Sequence, residues 1–173
     1  MIRRWPGVFS ILLVFVFVIG SLSCALPPEL GGKSSEYDQT RQAISKYIDE
    51  MTPALNESVE IMKEYNSLTM GITANTNPKE VIMKLYELGR RENEVYHKVS
   101  VSGPPIELRD FRLEWTKQCQ LRLQVFGLII RAMNERDASL ITEAQKLNSQ
   151  ANTINIKKTE QLQDILRKYG LTK

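Results

Sequence analysis

The chain is poor in the residues that build most catalytic and metal sites. Its 173 residues include one histidine, His97, and two cysteines, Cys24 and Cys119. One histidine cannot supply both axial ligands of a bis-histidine haem, and no Cys-x-x-Cys-His segment is present to attach haem covalently. Glu94-Val95-Tyr96-His97 has the Glu-x-x-His spacing of di-iron bundles. Those sites use two such motifs and further glutamates, and His97 projects away from the apolar stripe around it, so it reads as a solvated side chain. There is no Gly-x-Ser-x-Gly nucleophile elbow and no glycine-rich phosphate loop. No metal, cofactor or enzymatic activity is therefore expected. Charge of one sign is also lacking, with 23 basic against 20 acidic side chains. That balance is a poor match for the basic footprint of nucleic-acid binding, and no nucleic-acid partner is expected. No hairpin signal and no internal repeat occur.

Long apolar stretches are missing too, with one exception. Residues 8–22 carry no charge, and Arg3 and Arg4 precede them. A basic head, a short apolar run and small residues at its end describe a secretory signal. The run is shorter than the roughly 20 apolar residues of a spanning helix. It closes on Gly20-Ser21-Leu22-Ser23-Cys24. This segment resembles the lipobox of bacterial lipoproteins, with Ser21 and Leu22 standing where a leucine followed by a small residue is usual. The resemblance covers residues 1–24. It implies cleavage before Cys24, a diacylglyceryl group on its thiol, and a place on the extracytoplasmic face of the cell membrane. In a diderm cell, Ala25 after the cysteine resembles lipoproteins directed to the outer membrane. A diacyl anchor with added N-acylation supplies the several chains that stable attachment requires. The same residues leave ordinary secretion open, with cleavage after Ser23 or Ala25.

On the lipoprotein reading, residues 1–23 are the signal, 24–35 a lipidated tether and 36–173 the working domain. The tether holds Pro27-Pro28 and Gly31-Gly32 and has no apolar period, as in linkers. Cleavage leaves 150 residues and takes two arginines and no acid from a net charge of +3, so the mature chain carries +1. With Cys24 acylated, Cys119 has no partner for a disulfide, and a lone thiol outside the cell is expected to be buried.

The rest of the chain has a helical period. The first helix is expected from about Ser35 to Ile72, with Tyr37, Ile44, Ile48, Met51, Leu55, Val59, Met62 and Tyr65 on one stripe and its acids opposite. Pro53 either kinks it or starts a new helix capped by Thr52. Asn77 and Pro78 open the second helix, which carries Val81, Leu85, Leu88, Val95, Tyr96 and Val99. Ser102-Gly103-Pro104-Pro105 ends it. The third runs from Pro105 to about Asn134 with Leu108, Phe111, Trp115, Cys119, Phe126, Ile129 and Met133 inside. Asp137 caps the fourth, which continues to Tyr169 and stops at Gly170. Its inner face is Leu140, Ala144, Leu147, Ala151, Ile154, Leu162, Ile165 and Tyr169. Short connections make consecutive helices antiparallel, giving an all-α, up-down four-helix bundle. Residues 33–72 carry net −3 and residues 143–173 net +3, which favours pairing of the first and last helices.

Three charges interrupt the apolar faces: Glu92, Arg122 and Lys158. Counting about 1.5 Å per residue from the turns puts Glu92 and Lys158 at one level, with Ser58 near it, and Arg122 roughly 10 Å higher among Asn66, Asn148 and Asn152. Two readings fit: structural polar layers, or a polar pocket for a small ligand. Two apolar surpluses also stand out. Ile44, Tyr47, Ile48 and Met51 lie on a first helix longer than the second, and Leu121, Val125 and Leu128 flank the inner face of the third. Each is either an interface for a protein partner or second copy, or part of a wide core. The function expected is therefore a membrane-anchored, non-enzymatic interaction or structural module. The alternative is a binding module for a small or lipidic ligand between the helices.

Overall fold

Small and apolar residues recur along the chain at alternating steps of three and four, and this spacing decides which side of each helix is covered. The structure, a computed structural model, describes residues 36–72 and 76–172. The signal, the tether and Cys24 lie outside the described residues. Among those described, the chain forms α1 (Glu36–Met70), α2 (Pro78–Val101), a 3-10 turn (Ile106–Leu108), α3 (Arg109–Glu135) and α4 (Ala138–Lys168), with no strand. Each helix packs on the next, giving an all-α four-helix bundle. No described helix is long and apolar enough to cross a membrane.

The covered face of α1 is Ile44, Tyr47, Met51, Ala54, Ser58, Ile61 and Tyr65; that of α2 is Val81, Leu85, Leu88, Glu92, Val95 and Val99. Both alternate steps of three and four, the spacing of left-handed bundle packing. This turns the core face of α1 away from the stripe that a count of large apolar residues selects. Ala54 and Ser58 lie in the seam, Ile48, Leu55 and Met62 flank it, and Val59 is 46% exposed. Small residues let the helices approach, and larger ones then pack on either side. Pro53 does not break α1, which runs on through it. The Thr52 hydroxyl donates to the Ile48 carbonyl at 2.8 Å, using a carbonyl one turn back beside the proline.

The turns explain the antiparallel order. Asn77 Oδ1 accepts from the Lys79 amide at 3.1 Å and caps the helix, its Nδ2 donates to the Glu80 carboxylate at 3.2 Å, and Pro78 is the first helical residue. Between α3 and α4 stand only Arg136 and Asp137. Arg136 takes the left-handed conformation at φ 56°, and the Asp137 amide donates back to Ala132 at 3.1 Å. Asp137 then accepts from the Ser139 amide and hydroxyl at 2.8 and 2.7 Å, which holds its carboxyl below the usual range. At the far end Gly170, at φ 61°, lets the Leu171 amide donate to Leu166 at 2.8 Å and close α4.

The seam between α1 and α4 is aromatic where it is seen: Tyr37 stacks on Tyr169 at 5.3 Å and donates to the Lys168 carbonyl at 3.2 Å. Interhelical ion pairs also join α1 to α2 and α3 to α4. Arg91 of α2 reaches Glu57 and Glu64 of α1, and Lys157 of α4 reaches Glu114 of α3. Net charge per helix ignores which face each charge occupies, and pairing is decided by faces.

Candidate functional site

The core seam of every helix contains a polar side chain, and these meet in the interior. Ser58 comes from α1, Glu92 from α2, Gln118, Cys119 and Arg122 from α3, and Lys158 from α4; none is more than 5% exposed. Arg122 is the hub. Its guanidinium donates to the Ser58 hydroxyl at 2.7 Å and stands 3.6 Å from the Glu92 carboxylate. Lys158 points its amine over the ring of Trp115, 4.9 Å from the centroid, with Phe111 at 6.0 Å. Gln118 donates to the Ala151 carbonyl at 3.4 Å.

The level expected for Arg122 is corrected by this geometry. Arg122 meets Glu92 and Ser58, not asparagines one layer away. The backbone between α2 and α3 supplies the reason. Ser102 and Pro105 are extended, with ψ of 144° and 156°. At about 3.3 Å per extended residue, a connection of this kind sets the 3-10 turn that leads into α3 as much as roughly 10 Å beyond the end of α2. A count that assumes level helix ends misses that drop. Glu92 and Lys158 are both interior, but the ion pair of Glu92 is with Arg122, and Lys158 rests on aromatic carbon.

Burial and charge pull in opposite directions on each group. Burial pushes the Glu92 carboxyl up, while Arg122, the Cys119 thiol and Lys158 pull it back. Burial, then the like charge of Arg122, push Lys158 down to about 7, against weaker pulls from Cys119 and Glu92. Burial and the neighbouring carboxylate push the Cys119 thiol well above its ordinary value. A protonated, enclosed thiol is a poor nucleophile, so Cys119 acts here as packing. Neither Glu92 oxygen accepts a hydrogen bond of ordinary geometry, and Arg122 Nε, Gln118 Oε1 and Trp115 Nε1 are also unpartnered within the protein. Buried polar atoms are usually satisfied. This layer is therefore the least relaxed part of an otherwise apolar interior.

The remaining candidates separate clearly. Ile44, Tyr47 and Met51 are in the core and Ile48 is packed against it. The first half of α1 thus does not project as a bare stripe; the Tyr47 hydroxyl meets that of Ser102 at 2.9 Å, under the α2–α3 connection. Val125 is buried, and Leu121 and Leu128 are half-buried. Helix α3 packs on both α2 and α4, so it needs the wider face. Leu128 reaches the surface only in a shallow groove with Gln124, Arg131 and Leu147. His97 is exposed, edge-on to Tyr96 at 5.6 Å. Among the described residues no three metal-binding side chains converge. Gln118 was not singled out from sequence, although a polar residue one step before Cys119 on the inner face was a usable signal.

No protein-family model, curated protein or solved structure matches this chain.

Proposed function

We propose that the protein is a lipid-anchored, extracytoplasmic helical module that works by contact with other molecules and not by catalysis. The observation that carries this reading is the Gly20-Ser21-Leu22-Ser23-Cys24 segment at the end of an uncharged run. The bundle is compatible with it in two ways. Cys119 is enclosed, which leaves Cys24 as the cysteine available for modification. The first described helix begins at Glu36, twelve residues after Cys24 in the sequence. The interior layer serves the module by fixing register, since every helix contributes at least one polar group and Arg122 reaches both Ser58 and Glu92 only when α1, α2 and α3 are aligned. Mass spectrometry of protein taken from its own membranes tests the reading. A mass starting at Cys24 plus a diacylglyceryl group is expected; a bare chain starting at Cys24 or Leu26 would sink it.

A second reading is favoured by one observation, the unpartnered Glu92 oxygens beside two cationic side chains. In that reading the layer binds a small polar or lipidic ligand between the helices. Native mass spectrometry separates the two: a co-purifying mass that is lost in Glu92→Gln supports a ligand, and an unliganded chain supports the structural layer.

A further inference from the structure

Seven buried side-chain nitrogen and oxygen atoms lack a hydrogen-bond partner among the described residues, and five of them lie in the interior layer. Three of the five are acceptors, both Glu92 oxygens and Gln118 Oε1, and two are donors, Arg122 Nε and Trp115 Nε1. The bonds that the layer does make leave these atoms over. Arg122 donates from another nitrogen to Ser58 at 2.7 Å and stands 3.6 Å from Glu92, beyond hydrogen-bond reach. Gln118 uses its amide nitrogen on the Ala151 carbonyl at 3.4 Å. Trp115, Gln118 and Arg122 follow one another at steps of three and four, so they share one strip of α3. Two of the side chains brought against that strip are small, Ser58 from α1 and Ala151 from α4.

The mixture of atoms restricts what can complete the layer. A lipid tail offers no hydrogen bond. A carboxylate or phosphate cannot donate to Glu92 and Gln118, and it would set a second negative charge beside Glu92. An ammonium group cannot accept from Arg122 and Trp115. The partner must both donate and accept, carry no net charge, and fit among side chains that are at most 5% exposed. Water meets all three conditions. We infer that the layer is a hydration site, holding about two ordered waters between Glu92, Gln118, Arg122 and Trp115. A buried water makes about three hydrogen bonds, so five atoms call for about two of them. Polar interiors hold water where apolar ones stay dry. The waters link Glu92 of α2 to the strip on α3 and so complete the alignment that Arg122 begins. The site does not depend on the lipid anchor. It takes the atoms that the ligand reading invokes, so water and a solute are alternatives there.

Oxygen-17 relaxation dispersion counts waters held inside a protein, and it tests the site on the full chain in detergent. The parent should show about two more long-lived waters than the variant Glu92→Leu with Gln118→Leu and Arg122→Met, which lacks four of the five atoms. A second measurement does not need that variant. Trp115 is fully buried, so its indole N–H should give a cross-relaxation peak with water of the sign that marks a long-lived molecule. Trp115→Phe assigns the peak. Absence of the indole peak overturns the site whether or not the triple variant folds. Equal water counts in the parent and a folded triple variant overturn it as well. A co-purifying solute, seen by native mass spectrometry and lost in Glu92→Gln, overturns it too and leaves the ligand reading standing.

Discussion

Arg91 and Glu92 are neighbours in sequence and opposites in circumstance. Arg91 sits on the rim between α1 and α2, where its guanidinium donates to Glu57 at 2.5 Å and to Glu64 at 2.7 Å. Those two bonds raise its already high pKa further. Glu92, one residue on, turns into the core, where its ion-pair distance is 3.6 Å and neither oxygen accepts a good hydrogen bond. The better geometry is at the surface, yet the larger energies are inside. Water screens the rim pair in either state, so its formation changes little. The interior pair is buried, so removing one partner leaves the other charge in an apolar surround with weaker support, for Glu92 from Lys158 and the Cys119 thiol.

This contrast can be broken most sharply at Arg122. Arg122→Ala should destabilise the bundle by about 3–5 kcal/mol in urea unfolding, as for other buried pairs that lose one member. Replacing all three charged members together, as Glu92→Leu with Arg122→Met and Lys158→Met, should be neutral or stabilise by about 1–4 kcal/mol. A loss as large as that of Arg122→Ala would mean the layer adds net stability and not only register.

The interior also answers to pH in a way the rim does not. The folded-state pKa of Lys158, about 7, lies below its unfolded value of 10.5. Between those values the unfolded chain holds more protons, so stability from this group rises as pH increases from about 7 to 10.5. The raised carboxyl of Glu92 acts with the opposite sign. Its contribution is full below the ordinary carboxylate value and is lost as pH climbs through the folded one. Lys158→Met should flatten the alkaline rise, on the order of a few kcal/mol, in unfolding followed from pH 7 to pH 10. An unchanged slope would show that Lys158 stays charged on Trp115. At the small end, Arg91→Ala should cost less than about 1 kcal/mol, and added salt should shrink the difference further.

The sequence made the four helices and their ends legible because caps and turns are local signals. Asn77, Asp137 and Gly170 mark boundaries that the backbone hydrogen bonds of the structure also mark. The core face of α1 was harder to read. Ala54 and Ser58 count for little on a hydrophobic scale, yet small size is what places them in the seam. The polar residues of the interior were visible as breaks in apolar stripes. Which of them touch was not, because contact depends on how far an extended connection displaces one helix along another. Whether the stripe at Ile44, Tyr47 and Met51 was interface or core stayed open for a similar reason: Tyr47 meets Ser102 of the α2–α3 connection, which has no period to read.

The two-residue link at Arg136 and Asp137 has a kinetic meaning as well. Loop closure costs entropy that grows with the length closed, and local contacts form sooner than distant ones. An unfolded chain can join α3 to α4 across the shortest connection in the bundle. That hairpin already carries Arg122 and Lys158, two like charges held on one narrow strip of surface. Until α2 arrives with Glu92, the pair repels. Assembly order is thus written into the charges: the first half to form remains electrostatically incomplete until α2 closes over it.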